Sequence, residues 1–309
     1  MKQALEVEVE GRRLKLSNLD KVMYPAVGFT KGHVVDYYSR ISPVLLPHLR
    51  DRPLTLKRYP DGVEGEYFYE KQCPSHRPEW VRTAPIVGER KGKVVNYCVV
   101  DDLPTLVWTS NLADLELHTS LSLADDIMRP TAMVFDLDPG PPAGIIESVE
   151  VAFILRGLLD ELGLESFAKT SGGKGFQVYV PLNTPVTYDD TKPFSHTLAK
   201  LIEHRFPELV VSSQKKELRK GKVLVDWSQN DEHKTTVCVY SLRARERPTV
   251  STPVHWEEAD SALKKKDPDR LVFGPEDVFE RSEREGDLFE PLVTLEQKLP
   301  SLPVASARS

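Results

Sequence analysis

Two carboxylates two residues apart are the clearest chemical signal in this sequence. Asp136 and Asp138 lie in Ala132-Met-Val-Phe-Asp-Leu-Asp-Pro-Gly140. The apolar run before Pro139, closed by Pro139-Gly-Pro-Pro142, is the pattern of a buried strand ending in a turn. Residues i and i+2 of a strand share a face, so both carboxylates project the same way beside apolar neighbours. Like charges held that close, away from bulk water, repel unless a cation lies between them. Mg²⁺ and Mn²⁺ take such oxygen ligands. The alternative is a solvated strand end whose Asp-Pro-Gly starts a turn, and D-x-D alone does not choose.

Other residues add to the pair. Val223-Leu-Val-Asp-Trp-Ser228 is a second apolar strand ending in a carboxylate, Asp226. Three carboxylates on neighbouring strands can hold two metal ions, the arrangement used in phosphoryl transfer; alone, Asp226 reads as a turn cap. Thr170-Ser-Gly-Gly-Lys-Gly175 lies between two strand patterns. Its glycines, Gly172, Gly173 and Gly175, let successive N–H groups form an anion-binding concavity. Lys174 adds a mobile cation there and Ser171 a hydroxyl. The spacing is that of neither a Walker A loop nor a dinucleotide fingerprint. Tyr67-Phe-Tyr-Glu-Lys71 follows Lys57-Arg-Tyr59, and aromatics interleaved with cations suit base stacking beside phosphates, or simple core packing of a strand.

The elements that must position these groups read as follows. Leu5 to Leu16 alternates as a hairpin turning at Gly11. Thr30 opens a helix with Val34, Tyr37, Tyr38 and Ile41 inward. Residues 52–100 predict short strands with turns at Pro60-Asp-Gly62 and Lys91-Gly-Lys93. Residues 103–118 predict a helix with Leu106, Val107, Leu112 and Leu115 inward. Ser148 is expected to cap a helix that Gly163 ends. Strands follow near Ser166–Lys169 and Phe176–Pro181, and a helix with Pro193 in its first turn. Further strands are expected at Val223–Trp227 and Thr235–Tyr240, and charged helices at Trp256–Lys265 and Pro275–Arg284. This mixture predicts an α+β fold: one domain over 1–298, with a part at 1–125 and a core at 126–298, and a tail or linker at 299–309.

Composition sets bounds. The 309 residues are 40% hydrophobic, as in ordinary globular proteins. No run of 18 apolar residues predicts a membrane span, and Met1-Lys-Gln-Ala-Leu-Glu-Val-Glu8 lacks a signal core, which points to the cytoplasm. The cysteines, Cys73, Cys98 and Cys238, are odd in number and far apart, so neither a disulfide framework nor a zinc site is expected. The net charge of −6 hides an uneven spread: residues 1–60 hold 11 Lys and Arg against 6 Asp and Glu, and residues 214–247 hold 9 against 5. Residues 257–290 hold 6 against 12, so an acidic C-terminal region masks two basic stretches.

The ordered set Phe135-Asp-Leu-Asp-Pro139, Thr170-Ser-Gly-Gly-Lys-Gly-Phe176, Lys222-Val-Leu-Val-Asp-Trp-Ser-Gln-Asn230 and Tyr240-Ser-Leu-Arg-Ala-Arg245 resembles the polymerase domain of bacterial ATP-dependent DNA ligase D and its stand-alone relatives, in the archaeo-eukaryotic primase superfamily. Asn18-Leu-Asp-Lys-Val-Met-Tyr-Pro25, Phe29-Thr-Lys-Gly-His-Val-Val-Asp-Tyr-Tyr38, Arg52-Pro-Leu-Thr-Leu-Lys-Arg-Tyr-Pro-Asp-Gly62 and Tyr67-Phe-Tyr-Glu-Lys-Gln72 extend the likeness over about residues 10–295. The resemblance implies a primase-like catalytic core of mixed sheets and flanking helices plus an N-terminal α/β extension. It also implies extension of DNA ends during non-homologous end joining, using ribonucleoside triphosphates in preference and two Mn²⁺ or Mg²⁺ ions. The implied partners are DNA ends with a 5′-phosphate, a Ku-type end binder and a DNA ligase, which suggests a nucleoid-associated location and no membrane.

Carried onto matching positions, Asp136, Asp138 and Asp226 are the implied metal ligands and catalytic groups. Ser171 to Gly175, His118, Gln229, Arg243 and Lys57 are implied around the nucleotide. Lys21 and Lys31 are implied at the 5′-phosphate. Arg58, Phe68, Tyr69, Lys215, Lys216 and Arg219 are implied at template and primer. One departure stands out: the family pattern Lys-Gly-x-His reads Lys174-Gly-Phe-Gln177 here, and Gln hydrogen-bonds but does not charge near neutral pH. Other readings of the motifs remain: a Mn²⁺-dependent D-x-D glycosyltransferase, a haloacid dehalogenase-type phosphatase, and a non-catalytic module that bridges DNA ends.

Overall fold

A computed structural model describes residues 4–88 and 92–301. The chain opens with a hairpin, β1 (Leu5–Val9) and β2 (Arg12–Leu16), turning at Gly11 with φ 75°. Two short strands, β3 (Val22–Tyr24) and β4 (Phe29–Thr30), lead to helix α1 (Lys31–Leu49). Thr30 caps α1 reciprocally: its Oγ1 accepts from His33 N, and its own N–H donates to His33 Nδ1. Then come β5 (Pro53–Arg58), β6 (Phe68–Glu70), β7 (Thr83–Val87), β8 (Val94–Val99), α2 (Leu103–Asn111) and β9 (Asp114–Thr119).

The second half begins with β10 (Ala132–Pro139) and α3 (Ile145–Glu161), followed by β11 (Phe167–Thr170), β12 (Phe176–Pro181) and α4 (Tyr188–Arg205). The short strands β13 (Val210–Val211), β14 (Val223–Asp226), β15 (Thr236–Val237), β16 (Leu242–Arg243), β17 (Thr249–Val250) and β18 (Pro253–Val254) follow. Helices α5 (Trp256–Lys265), α6 (Pro275–Glu285) and α7 (Pro291–Thr294) complete the order.

Two sheets carry the fold. One runs β13-β14-β10-β12-β11-β18, antiparallel except for β13 on β14. The other runs β15-β9-β5-β8-β7, with β6 on β5. β15 comes from the second half of the chain yet pairs antiparallel with β9 of the first, so the second sheet is built from both halves. Helices α3 and α4 pack on β10. Phe135 and Leu137 of β10 are fully buried, as are Val178 and Val180 of β12, each such side chain contributing about 1.5–3 kcal/mol relative to exposure. A continuous buried cluster runs from Leu14 to Phe289.

Several sequence expectations are corrected. The helix expected over 103–118 ends at Asn111; Ala113, at φ 62°, turns the chain into strand β9. That strand is buried on both faces, so it lacks the alternation that would have marked it. Ser148 is not a cap. Helix α3 starts at Ile145, where Glu147 Oε2 accepts from Gly144 N, and the buried Ser148 Oγ donates to Leu137 O. Pro193 lies inside α4, whose start is fixed by Thr187 and Asp190. The strand expected at 235–240 is confined to β15. Cys73 and Cys98 form a disulfide joining the segment after β6 to β8; the segment bearing Cys73 lies against β8, where Cys73 N donates to Asn96 O, and this contact, not spacing, brings them together. Lys91 of the second expected turn, and residues 302–309 of the expected tail, lie outside the described residues.

Candidate active site

The pairing of β10 sets the site. Asp136 lies directly opposite Asp226 of β14 on one side and Gln177 of β12 on the other. Gln177 in turn lies opposite Lys169 of β11. Directly opposed residues of antiparallel strands share a face. A row therefore crosses four strands, Asp226–Asp136–Gln177–Lys169, with Asp138 two residues along on the same face.

Each member of the row has a distinct environment. Gln177 Nε2 donates to Asp136 Oδ1 at 2.9 Å, and Gln177 Oε1 is buried without a partner. Asp226 Oδ1 accepts from Ser228 N, Ser228 Oγ and Gln214 Nε2, and its Oδ2 from Gln229 Nε2. Lys169 is buried, donating to Ser251 Oγ at 2.6 Å and Val237 O at 3.1 Å, and burial pushes it down to about 7. Burial, then the charge of Asp138, pushes Asp136 up; burial, then Asp226, raises Asp138. Among the described residues, neither Asp136 nor Asp138 has a Lys or Arg ion pair.

This donor set fits hard divalent cations, which take carboxylate oxygens and relieve such repulsion. Among the described residues, no three His, Cys, Asp or Glu side chains already stand in a closed metal-holding group. Asp136 and Asp138 line the cleft together; Asp226, directly across the strand pair from Asp136, is not among the lining residues, and both its oxygens accept hydrogen bonds from Gln214, Ser228 and Gln229.

The cleft, of about 790 Å³, is lined from both sheets. It brings together Asp136, Asp138, Ser171, Lys174, Gly175, His118, Gln229, Arg243, Arg219 and Tyr69. Ser171 Oγ accepts from the N–H groups of Gly173 and Gly175 and closes the loop. Gly172 has φ +65°, and a Cβ there would fall 2.7 Å from Arg243 Cγ; Arg243 also donates to Ser171 O. The glycines thus let the loop press against the two arginines, Arg243 and Arg245.

Arg219 donates to Gln214, which donates to Asp226, so the loop bearing Lys215 and Lys216 is tied to the third carboxylate. Gly140 is pressed against the same loop: a Cβ would fall 1.9 Å from Arg219 O.

Sequence reasoning missed Glu116. It is buried on β9, and its carboxylate meets Lys57, Tyr59, His118 and Arg243. Lys57 is thereby held behind the cleft wall. Lys71 and Arg245, which lie inside motifs already singled out but were given no role, line the cleft as well; His233 and Lys234 also line it and were missed, because single cations scattered along a chain give no spacing signal. Phe68 is exposed but is not among the lining residues.

A second cleft, of about 500 Å³, gathers Arg13, Lys15, Lys21, Lys31 and Arg58. Lys31 is pushed down to about 8 by burial and then by Lys21; its Nζ donates to Asn111 O, and Lys21 pairs with Asp61. Arg58 lies here rather than in the first cleft, paired with Glu70 at 2.7 Å.

With this geometry in place, comparison with known proteins identifies the family. The description "LigD, primase-polymerase domain" matches residues 30–289. The chain belongs to the LigD primase-polymerase family. It is 40% identical over 283 residues to the multifunctional non-homologous end joining protein LigD of Mycolicibacterium smegmatis, covering 91% of this chain and 36% of that protein. It is 33% identical over 275 residues to the bifunctional non-homologous end joining protein LigD of Bacillus subtilis, covering 89% of this chain and 43% of that one. This LigD-type chain thus spans well under half the length of these relatives. Its fold matches the solved polymerase domain of Mycobacterium tuberculosis ligase D in complex with DNA, with a TM-score of 0.84, 37% identity, 92% of this chain and 99% of that one. The fold is primase-like and the enzyme class is nucleotidyltransferase. Family membership displaces the glycosyltransferase and haloacid dehalogenase readings. No helix among the described residues is long and apolar enough to cross a membrane.

Proposed function

We propose that this chain adds nucleotides, ribonucleotides in preference, to DNA ends and short gaps, directed by a template, during non-homologous end joining. The observation that carries this reading is the register of Asp136 on Asp226, with Asp138 alongside, next to the Ser171–Gly175 loop in one cleft. The residues act as follows. The glycine loop, Lys174 and Arg243 hold the triphosphate. Gln229, His118 and Lys57 shape the nucleotide pocket, and Tyr69 with Phe68 supports the template. Lys215, Lys216 and Arg219 steady the primer end. When bound at Asp136, Asp138 and Asp226, two Mn²⁺ or Mg²⁺ ions supply activation of a primer 3′-hydroxyl and neutralisation of the departing pyrophosphate. The cleft then provides in-line positioning, the main protein contribution in phosphoryl transfer.

The partners proposed are a DNA end with a 5′-phosphate, a Ku-type end binder and a DNA ligase, with a cytoplasmic, nucleoid-associated location. Extension of a primer on gapped, 5′-phosphorylated DNA tests the function, with ribo- and deoxyribonucleotides compared in Mn²⁺ and Mg²⁺. Template-matched addition, faster with ribonucleotides, is expected. DNA binding without incorporation in every arm would leave only an end-bridging module.

A further inference from the structure

Glu116 stands where three separated stretches of chain meet, and it is 1% exposed. It lies directly opposite Lys57 in the β5–β9 register. Its Oε2 is 3.1 Å from Lys57 Nζ, 3.1 Å from His118 Nε2 and 3.3 Å from Arg243 Nε. Its Oε1 accepts from Tyr59 OH at 3.2 Å and from Ala244 N at 3.0 Å. Burial pushes this carboxyl up, but the His118 hydrogen bond and the charges of Arg243 and Lys57 outweigh it and hold Glu116 far below the usual range. It is therefore an anion in the wall of the cleft, with each oxygen occupied.

The charge of Glu116 decides what His118 can do. Burial lowers the imidazole below its ordinary value, against the opposing pull of Glu116, so His118 is neutral near pH 7. A neutral imidazole has one N–H, and a carboxylate only accepts. The contact between them therefore fixes the proton on Nε2. Nδ1 is left as an acceptor, on a ring that lines the cleft and meets Tyr69 edge-on, with centroids 5.7 Å apart. On the other side, the same carboxylate sits against the Arg243 guanidinium, which donates to Ser171 O of the glycine loop.

We propose that Glu116 is the positioning residue of the nucleotide cleft: it locks His118 in the tautomer that offers Nδ1 to a hydroxyl of the bound nucleotide, and it aligns Arg243 with the glycine loop. This rests on the nucleotide-addition reading given above. Glu116→Gln keeps the shape but removes the charge, and its amide N–H₂ competes with the donors that now converge on the site.

Two measurements on the full chain decide the matter. Imidazole ¹⁵N shifts report the His118 tautomer without any turnover. They should show Nε2–H in the wild type and a mixture in Glu116→Gln. Titration with a nucleoside triphosphate in Mn²⁺, alongside primer extension, should show Glu116→Gln binding about 10-fold more weakly, in line with the loss of a charge-assisted hydrogen bond. KM should rise with kcat changed less than about 3-fold, since such a residue acts in both ground and transition states. Glu116→Asp should restore part of the affinity, and His118→Ala should add little in the Glu116→Gln background. An unchanged tautomer in Glu116→Gln, or unchanged KM with only a lowered melting temperature, would overturn the proposal. If wild-type protein neither binds nor adds nucleotide, the nucleotide-addition reading fails, and the tautomer comparison still decides whether Glu116 sets the proton on His118.

Discussion

Asp136→Ala or Asp138→Ala is expected to cut nucleotide addition by at least about 10³-fold, because electrostatic stabilisation of the transferring group is usually the largest single contribution to such chemistry. Asp226→Ala should do the same, through the partner directly across the strand pair. DNA binding should stay within about 3-fold of wild type, since phosphate contacts by cations supply most of that affinity and the basic cleft at Lys21 and Lys31 is separate. Stability separates loss of chemistry from loss of fold. In the metal-free protein Asp136 is raised above its unfolded value, so the native state binds more protons and stability falls as pH rises from about 4 toward 7. Removing Asp138 relieves part of that repulsion, so Asp138→Ala should melt no lower than wild type near pH 7. Single-nucleotide incorporation on gapped DNA, run beside anisotropy and thermal melts, checks all three statements. Wild-type incorporation in any of the three variants would remove the carboxylates from the mechanism.

The second large effect concerns the other cleft. A 5′-phosphate on the downstream strand is expected to tighten binding to gapped DNA by about 10- to 100-fold, the range of one or two charge-assisted contacts. The physical ground is the depressed Lys31, buried and repelled by Lys21; a doubly charged phosphate between the two relieves that repulsion. In Lys21→Ala combined with Lys31→Met, the preference for phosphorylated ends should vanish, while affinity for ends with a 5′-hydroxyl changes little. Methionine keeps the packing of the Lys31 stem at the start of α1. The salt slope of the phosphate-dependent part should shrink as well. Equal affinity of wild type for both ends, across a salt titration, would rule the assignment out.

Much of this was readable from the chain. The apolar run ending at Asp138, the second ending at Asp226 and the glycines after Thr170 are local patterns, and each became the strand end or loop it predicted. Their convergence was not local. It depends on which strands pair, and Asp226 reaches Asp136 only because β14 inserts beside β10. Glu116 was invisible for a related reason. Its partners lie 59 residues before it and 128 after it, and its own segment, buried on both faces, reads as a continuation of α2. The Cys73–Cys98 bridge escaped because odd, scattered cysteines suggest no pairing, whereas β8 brings them together. Arg58 was expected at the template, but Glu70 and Leu112 O turn it toward the second cleft.

The row from Asp226 through Asp136 and Gln177 to Lys169 has an evolutionary consequence. Because side chains alternate with a period of two, a one-residue insertion or deletion within β10 would invert every position beyond it, sending carboxylates into the apolar interior and Phe135 or Leu137 into solvent. These strands can therefore diverge by substitution but not by change of length, and variation in length is confined to the connecting loops, where the ends of the row are not displaced.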